Sequence, residues 1–278
     1  LSRQLKFRQA ISHAIDRNAL GQTMVRGPFS RPYAGGLYPE GVVNDGSVVY
    51  YGYNPKLAKE LLADVGLKDT DGNGIVNWTD GPTKGQDLEI TMVTPDGPGE
   101  TSLSEGLVSM LREVGIKLIP RPMQGTQVDA ALGASAYDFF IRRNDNEYIQ
   151  PIQLAEALAP VHDQTPYWHK GTKAKPQNLL PFEKDLVTLI NQFQHEPDLT
   201  KQLDILNKYN KVFTENVYHV GLVSVPGALI LNKRLKNVPP GTPIMSFQWA
   251  EDSIMRERIW IDPKSAPVEE LMPGKLPE

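Results

Sequence analysis

Apolar residues at Phe7, Ala10, Ile11, Ala14 and Ile15 recur at helical spacing, so the chain is expected to open with an amphipathic helix. Asp16-Arg17-Asn18 closes it or joins it to a short continuation over 19–25. A second helix begins at Asn54-Pro55, an N-cap followed by proline at the first helical position. It buries Leu57, Ala58, Leu61, Leu62 and Val65 and stops at Gly66. Residues 88–93 then read as a strand, 101–114 as a helix with Ser102 and Glu105 as its capping box, and 116–121 as a second strand. A short helix over 126–132 leads to a strand over 137–142. Phe182, Leu186, Leu189, Ile190 and Phe193 form the stripe of another long helix. Asp198 caps one more, with Leu199, Leu203, Leu206 and Phe213 inward. Strands separated by helices predict an α/β fold.

Three stretches break this rhythm. Residues 26–53 are rich in Gly, Pro and Tyr and read as a long ordered loop, and loops of that length are usually functional or packed on something. Residues 160–180 form a polar loop with Pro, His, Trp and Lys. After 217 the chain becomes β-rich at 220–225 and 228–231, gains Pro and Gly, and ends in an extended tail over 261–278. There is no internal repeat.

Composition narrows the function classes. The chain has 278 residues and a formal net charge of -4, so a basic polyanion-binding surface is not its theme and nucleic acid is not an expected partner. Without a cysteine it has neither disulfides nor thiolate metal sites. No apolar run is long enough to span a bilayer. The chain opens at Leu1 without a Met and enters a helix almost at once, which reads as a fragment of something longer.

The densest chemistry lies in Asp69-Thr70-Asp71-Gly72-Asn73-Gly74-Ile75-Val76-Asn77-Trp78-Thr79-Asp80. Oxygen-bearing side chains at Asp69, Asp71, Asn73, Asn77 and Asp80, the carbonyl of Ile75 and the turn at Gly74 follow the spacing of an EF-hand-like loop. A hard cation wants six or seven oxygens at one point, and alternate residues of a tight loop supply them. Asp80 is shorter than the bidentate Glu usual at the last position, and Gly81-Pro82-Thr83-Lys84-Gly85 reads as a turn where a helix is usual. Two readings stay open: a structural Ca2+ clip, and an Asx-rich surface turn. The five histidines are scattered with no pair at helical ligand spacing, so zinc is not expected, and His13 off its helix's apolar stripe reads as a surface or hinge residue. There is no Gly-x-Ser-x-Gly elbow and no Walker loop, since 97–104 lacks the lysine. Carboxylate pairs abound, and spacing leaves a glycosidase pair open.

Several stretches together resemble one family. Lys6-Phe7-Arg8-Gln9-Ala10-Ile11-Ser12-His13-Ala14-Ile15-Asp16-Arg17 is similar to the helix that opens the second lobe of the family 5 extracellular solute-binding proteins, the oligopeptide- and dipeptide-binding subunits of ABC importers. Tyr53-Asn54-Pro55, Ala58-Lys59-Glu60-Leu61-Leu62, Gly66-Leu67 and the Lys68 to Gly74 loop follow in the family's order. So do Leu111-Arg112-Glu113-Val114-Gly115-Ile116 and Ala136-Tyr137-Asp138. The resemblance covers residues 3 to about 240. It implies a type II (cluster C) periplasmic-binding-protein fold, with 3–217 as the second lobe, a mixed sheet flanked by helices. Residues 218–260 would be a return segment to a first lobe not contained here, its unpartnered strands prone to non-native self-association.

The same resemblance implies a non-enzymatic, periplasmic or extracellular protein, lipid-anchored or soluble. It would capture an oligopeptide or oligosaccharide between two lobes and deliver it to an ABC permease in the membrane. A secreted carbohydrate- or peptide-active enzyme and a ligand-presenting receptor module are the rival readings. The ligand residues would lie on loops after strand ends: Arg142, Arg143, Asn144, Asp145 and Glu147 after the 137–142 strand, and Trp168 in Tyr167-Trp168-His169-Lys170-Gly171. In peptide binders the resemblance implies an acidic ammonium anchor here, with Asp145 first and Glu147 second. The family often has Gly-Trp where Arg142-Arg143 stands, and two guanidiniums favour an anion or the hydroxyls of a sugar. Trp168 suits stacking on a sugar ring or plain packing.

Overall fold

The structure, a computed structural model, describes residues 1–24, 30–37, 46, 48–141, 158–160, 178–225, 232–238 and 256–264. It divides into two compact units, Leu1–Pro226 and Gly227–Glu278.

In the first unit, helices α1 (Leu5–Ala14) and α2 (Arg17–Met24) meet at a joint where Asp16 Oδ1 accepts from the backbone N–H of Asn18 and Ala19. That acidic acceptor starts the second helix. A short strand β1 (Arg31–Pro32) follows within the predicted long loop. Helix α3 (Pro55–Asp64) begins where Asn54 and Pro55 predict, with Asn54 Oδ1 accepting from Leu57 N–H at 3.0 Å. It stops at Gly66, whose φ of 82° a side chain would resist. Strands β2 (Leu67–Lys68) and β3 (Asn77–Trp78) pair antiparallel around the Asp69 loop. Then come β4 (Glu89–Pro95), α4 (Pro98–Glu113), β5 (Lys117–Met123), α5 (Gly125–Gly133) and β6 (Phe139–Phe140). Helix α4 departs from expectation. It starts at Pro98 with Gly97 as its N-cap, which leaves Ser102 and Glu105 inside the helix instead of forming a capping box. The fixed φ of proline begins the helix earlier than the Ser-x-x-Glu signal does.

Strands β5, β4 and β6 form a parallel sheet in that order. The crossover through α4 leads outward to one side of β4, and the crossover through α5 returns past it to the other. Alternation along β4 matches these two helices. Ile90 and Met92 pack in the main core with Leu103, Leu107 and Leu111 of α4, whereas Val93 packs with Val128 and Leu132 of α5. The main core also takes in α1, α2 and α3 through Phe7, Ile11, Ile15, Leu20, Ala58 and Leu62.

Helices α6 (Pro181–His195) and α7 (Leu199–Glu215) pack on each other through a separate cluster of Leu186, Ile190, Phe193, Leu206, Tyr209 and Phe213. Leu199 does not join it. It sits at the first helical position, 63% exposed, beyond the reach of that face. Buried polar groups on α7 instead hold the long loop. Asn210 Oδ1 accepts from Leu37 N–H at 2.7 Å, and Thr214 Oγ1 accepts from Val49 N–H at 3.0 Å. His13 belongs to the same binding of loop to helix: its Nδ1 lies 2.6 Å from Gly52 O and its ring stands edge-on to Tyr51.

Strand β7 (Val223–Ser224) pairs antiparallel with β1, and Val220, Leu222 and Val223 lie against the main core. The first compact unit therefore runs on to Pro226, past the compositional shift near 217. Two features fix this crossing. Arg17, 2% exposed, donates through Nε to Tyr33 O and Gly221 O, through Nη1 to Ser12 O and Tyr51 O, and through Nη2 to Ser12 Oγ. The Tyr50 ring lies 5.3 Å from its guanidinium, and burial lowers its pKa from the ordinary arginine value. Gly221 meanwhile passes so close to the loop that a Cβ there would overlap Gly35 N and Tyr33 O. The neighbouring His219, ring stacked on Tyr218, has its pKa pushed down to about 4 by burial and is neutral at pH 7.

In the second unit, β8 (Leu235–Lys236) and β9 (Trp260–Ile261) form an antiparallel ribbon with Trp260 and Ile261 exposed. Ile261, the first residue of the expected tail, is therefore paired with Leu235. Residues 228–231 and 265–278 lie outside the described residues.

Candidate functional site

Parallel strands carry their carboxyl ends to one edge of a sheet, and in open α/β sheets ligands gather at that edge where the strand order reverses. Here the reversal falls at β4, flanked by β5 and β6. The edge is made of Pro95-Asp96-Gly97 after β4, Gln124-Gly125 after β5 and Ile141 after β6. Asp96 N–H donates to Met123 O at 3.1 Å, so the first turn is fastened to the end of the neighbouring strand. Thr94 is buried, and its Oγ1 donates to Pro95 O. The Glu100 carboxylate folds back over the start of α4, against the position a Cβ at Gly97 would take. Gln124 and Gln127 cap α5 reciprocally, side chain to backbone. The Asp96 side chain is exposed.

Arg142, Arg143, Asn144, Asp145, Glu147 and Trp168 all lie outside the described residues. The described chain reaches Ile141, a buried residue whose N–H donates to Val93 O at the end of β6, immediately before the first of them.

The Asp69 loop is fully described. Asp69 accepts from Gly72 N–H at 2.7 Å and Gly74 N–H at 2.9 Å. Desolvation pushes its pKa up, but these backbone bonds outweigh it and hold the carboxyl below the usual aspartate value. Asp71 accepts from Asn73 N–H, and Asn73 Oδ1 accepts from Ile75 N–H at 2.7 Å. Gly72 and Gly74 supply the positive φ that this winding needs. The other two side chains have different surroundings. Asn77 is buried, with Oδ1 accepting from Thr70 N–H and Oγ1–H. Asp80 is exposed beside Gly66. A residue that the sequence reading missed joins the loop. The Asp87 carboxylate accepts from Asn73 Nδ2 at 3.2 Å and from Asn77 Nδ2 at 2.5 Å. Its only signal in sequence is an acid just before the apolar strand, ten residues past Asn77. Among the described residues, no three or more His, Cys, Asp or Glu side chains gather as a metal cluster.

The family model for "Bacterial extracellular solute-binding proteins, family 5 Middle" matches residues 3–162, more than half of the chain. The chain belongs to this family. A protein from Rhizobium meliloti, named a periplasmic alpha-galactoside-binding protein, is 40% identical over 279 residues, covering 100% of this chain and 40% of the relative. The solved structure of the periplasmic binding protein MelB from Agrobacterium fabrum, in complex with stachyose, superposes with a TM-score of 0.85 at 39% identity. That match covers 98% of this chain and 41% of MelB. The oligopeptide-binding protein AppA of Bacillus subtilis, solved with a nonapeptide, superposes with a TM-score of 0.65 at 18% identity, covering 94% of this chain and 48% of AppA. The fold is therefore that of the type II periplasmic binding proteins, as the resemblance implied. The chain spans about two fifths of the length of the first two relatives. They are named as binding proteins and not as enzymes.

Proposed function

We propose that this family 5 chain is part of a periplasmic solute-binding protein of an ABC importer whose cargo is an α-galactoside oligosaccharide. One observation carries the reading: the whole chain aligns at 40% identity with a protein named for α-galactosides. The peptide-binding AppA of Bacillus subtilis reaches 26% over half of this chain. The chain binds and releases without turnover, handing its cargo to a permease; closure around the sugar excludes water from the polar contacts. The test is titration calorimetry with raffinose and stachyose on the protein as its gene encodes it, with tri- to nonapeptides as competitors. Saturable heat from the saccharides alone supports the reading. Heat from peptides alone overturns it and returns Asp145 to the role of ammonium anchor.

The Asp69 loop supports a second proposal: a structural Ca2+ clip built from Asp69, Asp71, Asn73 and the Ile75 carbonyl, with Asp87 in the place the spacing gave to Asp80. What supports it is that the loop winds through Asp69, Asp71 and Asn73 in the order the spacing requires, with the Asp87 carboxylate beside Asn73. Calcium at about a hundredfold over its dissociation constant is expected to raise the melting temperature by roughly 5 °C over an EDTA-treated sample, and Asp69→Asn to abolish the rise. Equal melting temperatures in calcium and EDTA make the loop a turn closed by its own hydrogen bonds.

A further inference from the structure

Among the described residues at the sheet edge, several polar side chains are folded onto neighbouring backbone. Thr94 spends its hydroxyl on Pro95 O and is buried. Glu100 is folded over the start of its own helix. Gln124 and Gln127 are occupied with each other's backbone. The Asp96 carboxylate stands at the end of the central strand, exposed, with no hydrogen bond or ion pair from any described residue. Its position is nonetheless fixed, because its own N–H is bonded to Met123 O on the neighbouring strand. A short side chain on a fastened backbone is held in place at little entropic cost, which is what a binding contact needs.

We propose that Asp96 is a ligand-contacting residue that accepts hydrogen bonds from two neighbouring hydroxyls of a neutral saccharide. This rests on the saccharide reading above and names a residue for it. Two carboxylate oxygens match a pair of vicinal hydroxyls, and such charge-assisted bonds are short and about twice as strong as neutral ones. A carboxylate at this place also disfavours an anion, so uronates and peptide carboxyl ends are selected against there. Asp96 lies at the switch point on β4, where the C-terminal end of the sheet opens to both flanking strands.

The test uses the protein as its gene encodes it, titrated with stachyose and raffinose. Asp96→Ala is expected to weaken binding by about tenfold or more, with Asp96→Asn, which keeps one acceptor, falling between it and the wild type. The melting temperature without sugar is expected to be unchanged, while its rise on adding sugar shrinks in step with the affinity. Wild-type binding with an Asp96→Ala affinity within twofold of it overturns this proposal and leaves the saccharide reading standing. A wild type that binds neither sugar overturns the saccharide reading, and the role of Asp96 with it.

Discussion

Replacing Gly221 by alanine is expected to cost about 3 kcal/mol or more and to lower the melting temperature by roughly 10 °C. The added methyl group would overlap Gly35 N and Tyr33 O and come within 2.5 Å of Ala34 C. All three are backbone atoms, so no flexible side chain can swing aside. Either the 220–225 segment lifts from the core or the 33–35 loop moves, and each shift breaks the β1–β7 pairing next to it. Gly125→Ala is the control, because a Cβ there meets nothing within 4 Å and lies in a helix. That variant should be neutral or stabilised by a few tenths of a kcal/mol. Paired thermal melts decide the matter, and a Gly221→Ala midpoint within 2 °C or so of wild type would falsify the account of the crossing.

Arg17→Met should rank close behind, at about 3–5 kcal/mol. Methionine fills much of the same volume, so the loss comes from what stays. The carbonyls of Ser12, Tyr33, Tyr51 and Gly221 and the Ser12 hydroxyl keep their positions and lose their common donor. Arg17→Lys separates charge from geometry: it retains the cation but cannot span acceptors that lie on both sides of a planar fork. Chemical denaturation should place Lys between wild type and Met. Equality of Lys with wild type would mean that a point charge suffices there and the fork does not matter.

Legibility in the sequence followed the range of the interactions. Asn54-Pro55, Gly66 and Asp198 act within a turn of themselves, and the structure uses each as its local chemistry suggests. Pro98 overrode the Ser102 signal for a reason equally local, and could have been read from the sequence. Arg17 is different. Nothing in Asp16-Arg17-Asn18 announces a buried guanidinium, because its acceptors come from residues 33, 51 and 221 as well as from Ser12 on the preceding helix. The same holds for Asp87 and Asp96. Each is an ordinary surface acid in sequence, and its meaning comes from which strand end or loop the fold sets beside it. The ligand residues expected after 141 rest on family likeness for their place, while Trp168 rests on an aromatic flanked by polar donors.

The clamp around Arg17 also has a place in time. Its bond to Gly221 O spans 204 residues of chain, and Gly221 has to arrive before the cluster can close. A polypeptide emerging in order, from a ribosome or through a narrow channel, presents the Arg17 acceptors at 12, 33 and 51 well before the one at 221. The clamp closes fully only when the segment that carries the 223–224 strand comes back to β1, tying a late stretch of the first unit to its opening helices.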